Sequence, residues 1–263
     1  MIKSALGILS HFPDHANRCT LCNSSDLTFE HIPPQSSFNN TPVKDWVDDG
    51  VFRGHKSLTK MRKGMGRFSL CSICNNTIGS RYSKHFQDWS TQAYELVEQS
   101  TGYEYAKRIF RIKPFFVAKQ LALMAVAMGH EDYADRDWFR NLQEIAKNED
   151  ENILPTELTF WSYLVEDNHV RLSGITTYAT TQWLSSPLAY CEIARKPLGY
   201  LVMWNTEVAR IFAKAVGMVC LDNFFSYSDK EYHTFTLKMR KLSTKSFAAF
   251  EYEGVTSNVS DWA

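Results

Sequence analysis

Between Val51 and Gln87 the chain contains no aspartate or glutamate. The same stretch carries Arg53, Lys56, Lys60, Arg62, Lys63, Arg67, Arg81 and Lys84. A segment of one charge sign points to a polyanion such as a phosphate backbone. Net charge is absent overall: 29 basic and 29 acidic residues leave +0 and a pI of about 7.1, so only the distribution of charge, not its total, suggests such a partner. No apolar run is long enough to cross a bilayer, and Met1-Ile2-Lys3-Ser4 leads into too short an apolar stretch for a secretory leader. There is no internal repeat and no low-complexity segment. With 263 residues, 44% of them hydrophobic, the composition excludes global disorder and allows about two domains.

Cysteine is scarce but patterned. Four of the six fall in two matching pairs, Cys19-x-x-Cys22 and Cys71-x-x-Cys74. A two-residue gap lets one turn present both sulfurs to one ion, so two such knuckles predict a tetrahedral structural zinc site. Cysteines spent on metal rather than on disulfides fit a reducing cytoplasm. Cys191 and Cys220 lie in apolar segments and are expected to be inert core residues. His11 and His15 lie four apart without further ligands and are read as non-ligands.

The chain divides into three expected units: residues 1–90 around the knuckles, a helical connector over 91–153, and a mostly antiparallel β-rich domain over 154–263. In the first, residues 26–32 read as a short strand ended by Pro33-Pro34. Residues 35–66 read as a long polar loop, Arg67–Cys71 as a second strand, and Asn75–Trp89 as a helix. In the second, 93–99, 105–128 and 135–147 show apolar residues at helical spacing, with Pro114 kinking or splitting the middle one. In the third, 158–165 and 169–178 read as paired strands. Residues 190–195 and 201–204 read as a hairpin around Lys196-Pro197. Residues 207–225 remain open between helix and buried strand, while 233–242 and 247–252 read as closing strands. The aromatic-rich strands of this unit read as core.

Three blocks carry chemistry: Cys19-Thr-Leu-Cys22, then Phe29-Glu30-His31-Ile32-Pro33, then Leu70-Cys71-Ser-Ile-Cys74-Asn75-Asn76-Thr-Ile-Gly79. Together they resemble zinc-containing HNH endonucleases, which have the ββα-metal fold. Locally they are similar to phage junction resolvases and to small HNH proteins of bacterial antiphage systems. The resemblance covers roughly residues 15–90. By position it implies His31 as general base, and Glu30 and Asn75 as ligands of a catalytic Mg²⁺ or Mn²⁺. It implies the four cysteines as holders of a structural zinc outside the chemistry. Asn76 replaces Asn75 if the helix starts one residue later. Asn39 and Asn40 are candidates for the family's middle asparagine.

The physical logic stands beside the family. A neutral imidazole, with an ordinary pKa near ~6.5, takes a proton from water at neutral pH. A hard cation on a carboxylate and an amide oxygen keeps positions open for phosphate and water. Adjacent strand residues point to opposite faces, so Glu30 and His31 share one site only if the strand ends or bends there. Lys60, Arg62, Lys63, Arg67, Arg81, Lys84 and His85 form the expected nucleic-acid contacts. The expected activity is metal-dependent hydrolysis of DNA phosphodiesters in bacterial defence, with RNA also open. A homodimer or protein partner would use the C-terminal domain. The rivals are a structure-selective resolvase or repair nuclease, and a zinc-stapled nucleic-acid binder that does not cut.

Overall fold

The computed structural model describes residues 18–47, 56–129, 133–150, 153–168, 170–172, 176–178, 188–204, 206–242 and 255–256. Arg53, His11, His15 and the strand expected over 247–252 lie outside the described residues. The fold is α+β, built on a large mixed sheet with several helices. Among the described residues no helix is long and apolar enough to cross a membrane.

Among the described residues the first element is β1 (Leu27–His31), and a separate hairpin follows from β2 (Pro42–Val47) and β3 (Lys56–Lys63). Much of the stretch expected as polar loop is therefore paired strand. β4 (Gly66–Cys71) returns antiparallel to β1, with Glu30 opposite Arg67 and His31 opposite Gly66. A continuous helical run comes next: α1 (Ser72–Cys74), a π-helical turn (Asn75–Gly79) and α2 (Ser80–Gln99). Tyr82, Phe86, Trp89, Ala93 and Leu96 recur at helical spacing and form its buried face. Phe86 and Trp89 pack on Tyr200, and Trp89 on Phe224.

Residues 105–112, expected as helix, form strand β5 (Tyr105–Ile112). Ala106, Phe110 and Ile112 face inward while Tyr105, Lys107, Ile109 and Arg111 face out, a period of two. Ile109, an apolar residue within the stretch expected as helix, is 63% exposed. Pro114 neither kinks nor splits a helix: it occupies the first turn of α3 (Pro114–Ala127), where its missing N–H costs nothing. α3 is buried nearly all round, as an apolar helix at the centre of a core must be. Its Lys119 donates to the carbonyls of Ile145 and Asn148, which closes the end of α4 (Asp137–Lys147).

The large sheet is centred on β6 (Leu158–Val165), all of whose residues are buried. Leu158, Phe160 and Leu164 enter the core shared with α2, α3 and α4. Trp161, Tyr163 and Val165 enter a second core. That second core includes Val208, Ala209, Phe212 and Ala213 of α5 (Thr206–Val216). A strand covered on both faces reads as a continuous apolar run. The hairpin expected between β6 and residues 169–178 does not form. β7 (Val170–Leu172) and β8 (Thr176–Tyr178) both pair with β9 (Leu188–Arg195). β6 pairs instead with β10 (Leu198–Trp204), with β11 (Val219–Cys220) and, in parallel, with β12 (His233–Leu242). β13 (Val255–Thr256) adds to β7, and β5 closes the opposite edge on β12. The β9–β10 hairpin formed as expected. Residues 207–225 hold α5, β11 and a 3-10 turn at Asp222–Ser226. The main core joins residues from all three expected units, among them Cys19, Leu70, Trp89, Leu123, Tyr200 and Phe224.

Candidate functional site

Both knuckles are held by backbone geometry. In the first, the Cys19 N–H donates to Ser24 O at 2.7 Å and Asn23 N–H to Cys19 O at 2.8 Å, with Asn23 at φ 64 closing the turn. In the second, Cys71 caps α1, and the Cys74 N–H donates to its Sγ at 3.4 Å. Thr20 clips the two together: its N–H and hydroxyl both donate to Ser69 O. Gln143 of α4 donates to the Thr20 carbonyl. All four sulfurs lie within 4.8 Å of one another, and Cys22 Sγ and Cys71 Sγ are 3.5 Å apart. Two thiolates on one tetrahedral zinc stand roughly 3.8 Å apart, given Zn–S near ~2.3 Å. Among the described residues this is the cluster that could hold a metal ion. Burial pushes the Cys74 thiol well up, a cost that a bound cation removes.

Next to this staple, the end of β1 is fixed by Asn39 and Gly64. Asn39 is fully buried; its Nδ2 donates to Pro33 O at 2.6 Å and to Met65 O at 2.7 Å. Its Oδ1 accepts from Met65 N–H at 2.7 Å. It therefore ties the chain leaving β1 to the chain entering β4. Gly64 sits at φ 90, where a side chain is strained, and an added Cβ would strike Asn39 O and His31 Cδ2. That close approach sets Lys63 O 2.9 Å from His31 Nε2. A carbonyl can only accept, so the neutral ring carries its proton on Nε2 and keeps the lone pair on Nδ1. Phe29 meets the ring edge-on at 5.1 Å.

Asn75 opens the π-helical turn and faces β1. Its Nδ2 donates to Thr28 Oγ1 at 3.1 Å and to Phe29 O at 3.3 Å. Both donor hydrogens are thus engaged, which orients Oδ1. Asn76 is exposed, and its carbonyl accepts from Ser80. Asn40 is exposed too, so of the two middle candidates Asn39 is the clamp.

Glu30 takes the opposite face from His31. It is 6% exposed, and burial pushes its carboxyl up to about 8. β1 carries an irregularity between Thr28 and Phe29, but from Phe29 to His31 it pairs residue by residue with β4, so adjacent Glu30 and His31 stay on opposite faces. Burial therefore favours the neutral form of the carboxylate that the resemblance implies as a metal ligand.

The expected phosphate contacts scatter. Arg67 is 5% exposed and donates to Met128 O at 2.9 Å, which takes it off any surface that a phosphate reaches. Arg81 pairs with Glu149 at 3.3 Å. His85 stacks on Phe116 at 4.4 Å; burial, then Lys113, hold its pKa below the usual imidazole value. Lys63 and Lys84 are exposed. Lys60 and Arg62 run in β3, and their side chains lie outside the described part of the molecule. Cys191 is core as expected, with its thiol pushed up to about 12 by burial; Cys220 instead reaches the surface.

Two contributors escaped the sequence. The Lys63 carbonyl has no side-chain signature. Arg195 at the end of β9 donates to Phe38 O at 3.1 Å and to Thr41 Oγ1, bracketing Asn39 from the large sheet. Burial lowers its pKa to about 10. No sequence pattern links a residue of β9 to a loop so far upstream. No family model, no curated protein and no solved structure matches this chain.

Proposed function

We propose that residues 18–99 form a zinc-stapled hydrolytic centre of the ββα kind, cutting phosphodiester bonds with His31 as general base. The observation that carries this reading is the imidazole itself. Its Nε2 is held by a backbone carbonyl, which orients Nδ1 to take a proton from water. The hydroxide formed attacks phosphorus, and the bond to the leaving oxygen breaks. Support comes from the order of elements: an antiparallel strand pair in which β1 ends at His31, then a helical run whose π-helical turn opens with an oriented asparagine. Four soft thiolates favour zinc, and a fully ligated tetrahedron leaves no open position, so this ion is structural. DNA as the polymer, and defence against foreign DNA as the setting, rest on the family resemblance. No step is routed through a second ion: Glu30, the carboxylate that the resemblance implies as its ligand, is buried, and burial favours its neutral form.

The inward Glu30 favours a second reading, a zinc-stapled module that binds nucleic acid without cutting it. Incubating supercoiled plasmid with pure protein in Mg²⁺, Mn²⁺ or EDTA separates the two. The hydrolytic reading expects nicking by wild type and none by His31→Ala, with zinc content and melting temperature unchanged. Nicking by His31→Ala at the wild-type rate would remove His31 from the chemistry. Absence of nicking by wild type in every metal would leave the binding module.

A further inference from the structure

We propose that the outer face of the β5–β12 pair is a binding strip for single-stranded nucleic acid. β5 is the edge strand of the large sheet, and its alternate residues Tyr105, Lys107, Ile109 and Arg111 face out. The register with β12 sets Arg240, Lys238, Thr236 and Thr234 directly opposite them. Lys107 and Lys238 are thus cross-strand neighbours, and both are exposed. Like charges directly opposite each other destabilise a sheet. Among the described residues neither lysine has a carboxylate within ion-pair distance, and the same holds for Arg111 and Lys113. The acidic groups nearby are already engaged: Glu104 with Arg240, Asp229 with His233, and Asp88 with the Tyr232 hydroxyl. A charged edge also deters edge-to-edge pairing, but that purpose needs no cations on β12.

Aromatic rings are interleaved with these cations. Tyr105 is 39% exposed, with Lys238 Nζ 4.8 Å from its ring. Tyr232, 42% exposed, has Arg111 at 4.8 Å and Lys113 at 4.9 Å. Lys113 also stands 5.8 Å over Phe116, on which His85 of α2 stacks, so the strip runs on toward the helical run that includes Asn75. Cations that follow a backbone beside half-exposed rings suit a polymer with phosphates and unpaired bases. Along β5 the outward positions recur about every 6.8 Å, and the strand spans roughly 27 Å, enough for several nucleotides. A duplex hides its bases and would leave the rings and Ile109 unused, which is why a single strand is favoured.

The strip is independent of hydrolysis, so binding is measured in EDTA by fluorescence anisotropy. The probes are labelled oligo-dT and oligo-U of roughly 20 nucleotides, and a duplex of the same length. At low salt, either single strand should bind more tightly than the duplex. Lys107→Gln, Arg111→Gln and Lys238→Gln combined should lower the log–log salt slope by about two units, near 0.7 for each phosphate released. Tyr232→Leu should weaken binding roughly tenfold through lost stacking. His31→Ala should bind as wild type does. Relief of the lysine pair should leave the triple variant's melting temperature equal or higher, which a merely structural strip would not do. Unchanged affinity and salt slope in the triple variant, or a duplex bound as tightly as either single strand, would overturn the proposal. Loss of nicking with retained binding would fall on the hydrolytic reading alone.

Discussion

Two basic regions of this protein differ in where their charges end up. The acid-free stretch around the second knuckle is contiguous in sequence, yet the fold buries one of its charges and pairs another, while Lys63 and Lys84 stay exposed. Arg67 is buried on Met128 O, opposite the buried Glu30, and Arg81 is tied to Glu149. The β5–β12 strip draws on residues far apart in the chain and leaves Lys107, Arg111 and Lys238 exposed. Contiguity in sequence does not make a charged surface. Strand pairing and side-chain direction do.

The largest expected effect separates the two regions by stability. Chelating the proposed zinc, or Cys74→Ser, would remove a staple of the kind that contributes on the order of 10 kcal/mol in small zinc modules. Hydrogen exchange should show protection lost first in β1, β4 and the helical run, with β5 and β12 affected less. Equal loss across both regions would mean that the shared core, rather than the staple, holds the knuckles.

A second test uses the inward-facing carboxyl. A Glu30 pKa raised to about 8 means that the folded state holds a proton that the unfolded chain loses above about 4.5. Folded protein then binds more protons than unfolded across that window, so stability is fully present at low pH and falls as pH rises toward 8. At about 1.4 kcal/mol per pH unit the swing reaches up to about 5 kcal/mol. Glu30→Gln keeps the shape without the charge. It should match wild type near pH 5 and melt at a higher temperature near pH 9. A variant less stable than wild type at both pH values would mean that Glu30 is charged and partnered in the fold.

A smaller effect sharpens the contrast between buried and exposed cations. Arg67→Met should cost about 1–3 kcal/mol, because it leaves the Met128 carbonyl without its donor. Its salt dependence of nucleic-acid binding should equal that of wild type. The strip variants should do the reverse. Urea unfolding and salt titration on the same proteins read both quantities, and a lower salt slope for Arg67→Met would return that residue to the interface.

Local chemistry was legible in the chain by itself. The spacing of Cys19, Cys22, Cys71 and Cys74 depends on one turn at each knuckle, and their sulfurs converge as the motif implies. The strand before Pro33, the amphipathic α4 and the β9–β10 hairpin follow from short-range periodicity and turn residues, so they too could be read in advance. What lay beyond reach depends on partners distant in sequence. Tyr105–Ile112 reads as helix from its apolar spacing, and pairing with the distant β12 makes it a strand. β6 could have paired with the next strand, but burial on both faces gave it β10 and β12 instead. The two faces of β1 were readable as alternation; which one would be core was not. Only the tertiary structure decided that Glu30 points inward while His31 meets Lys63 O, because that choice follows from what packs on each side of the strand.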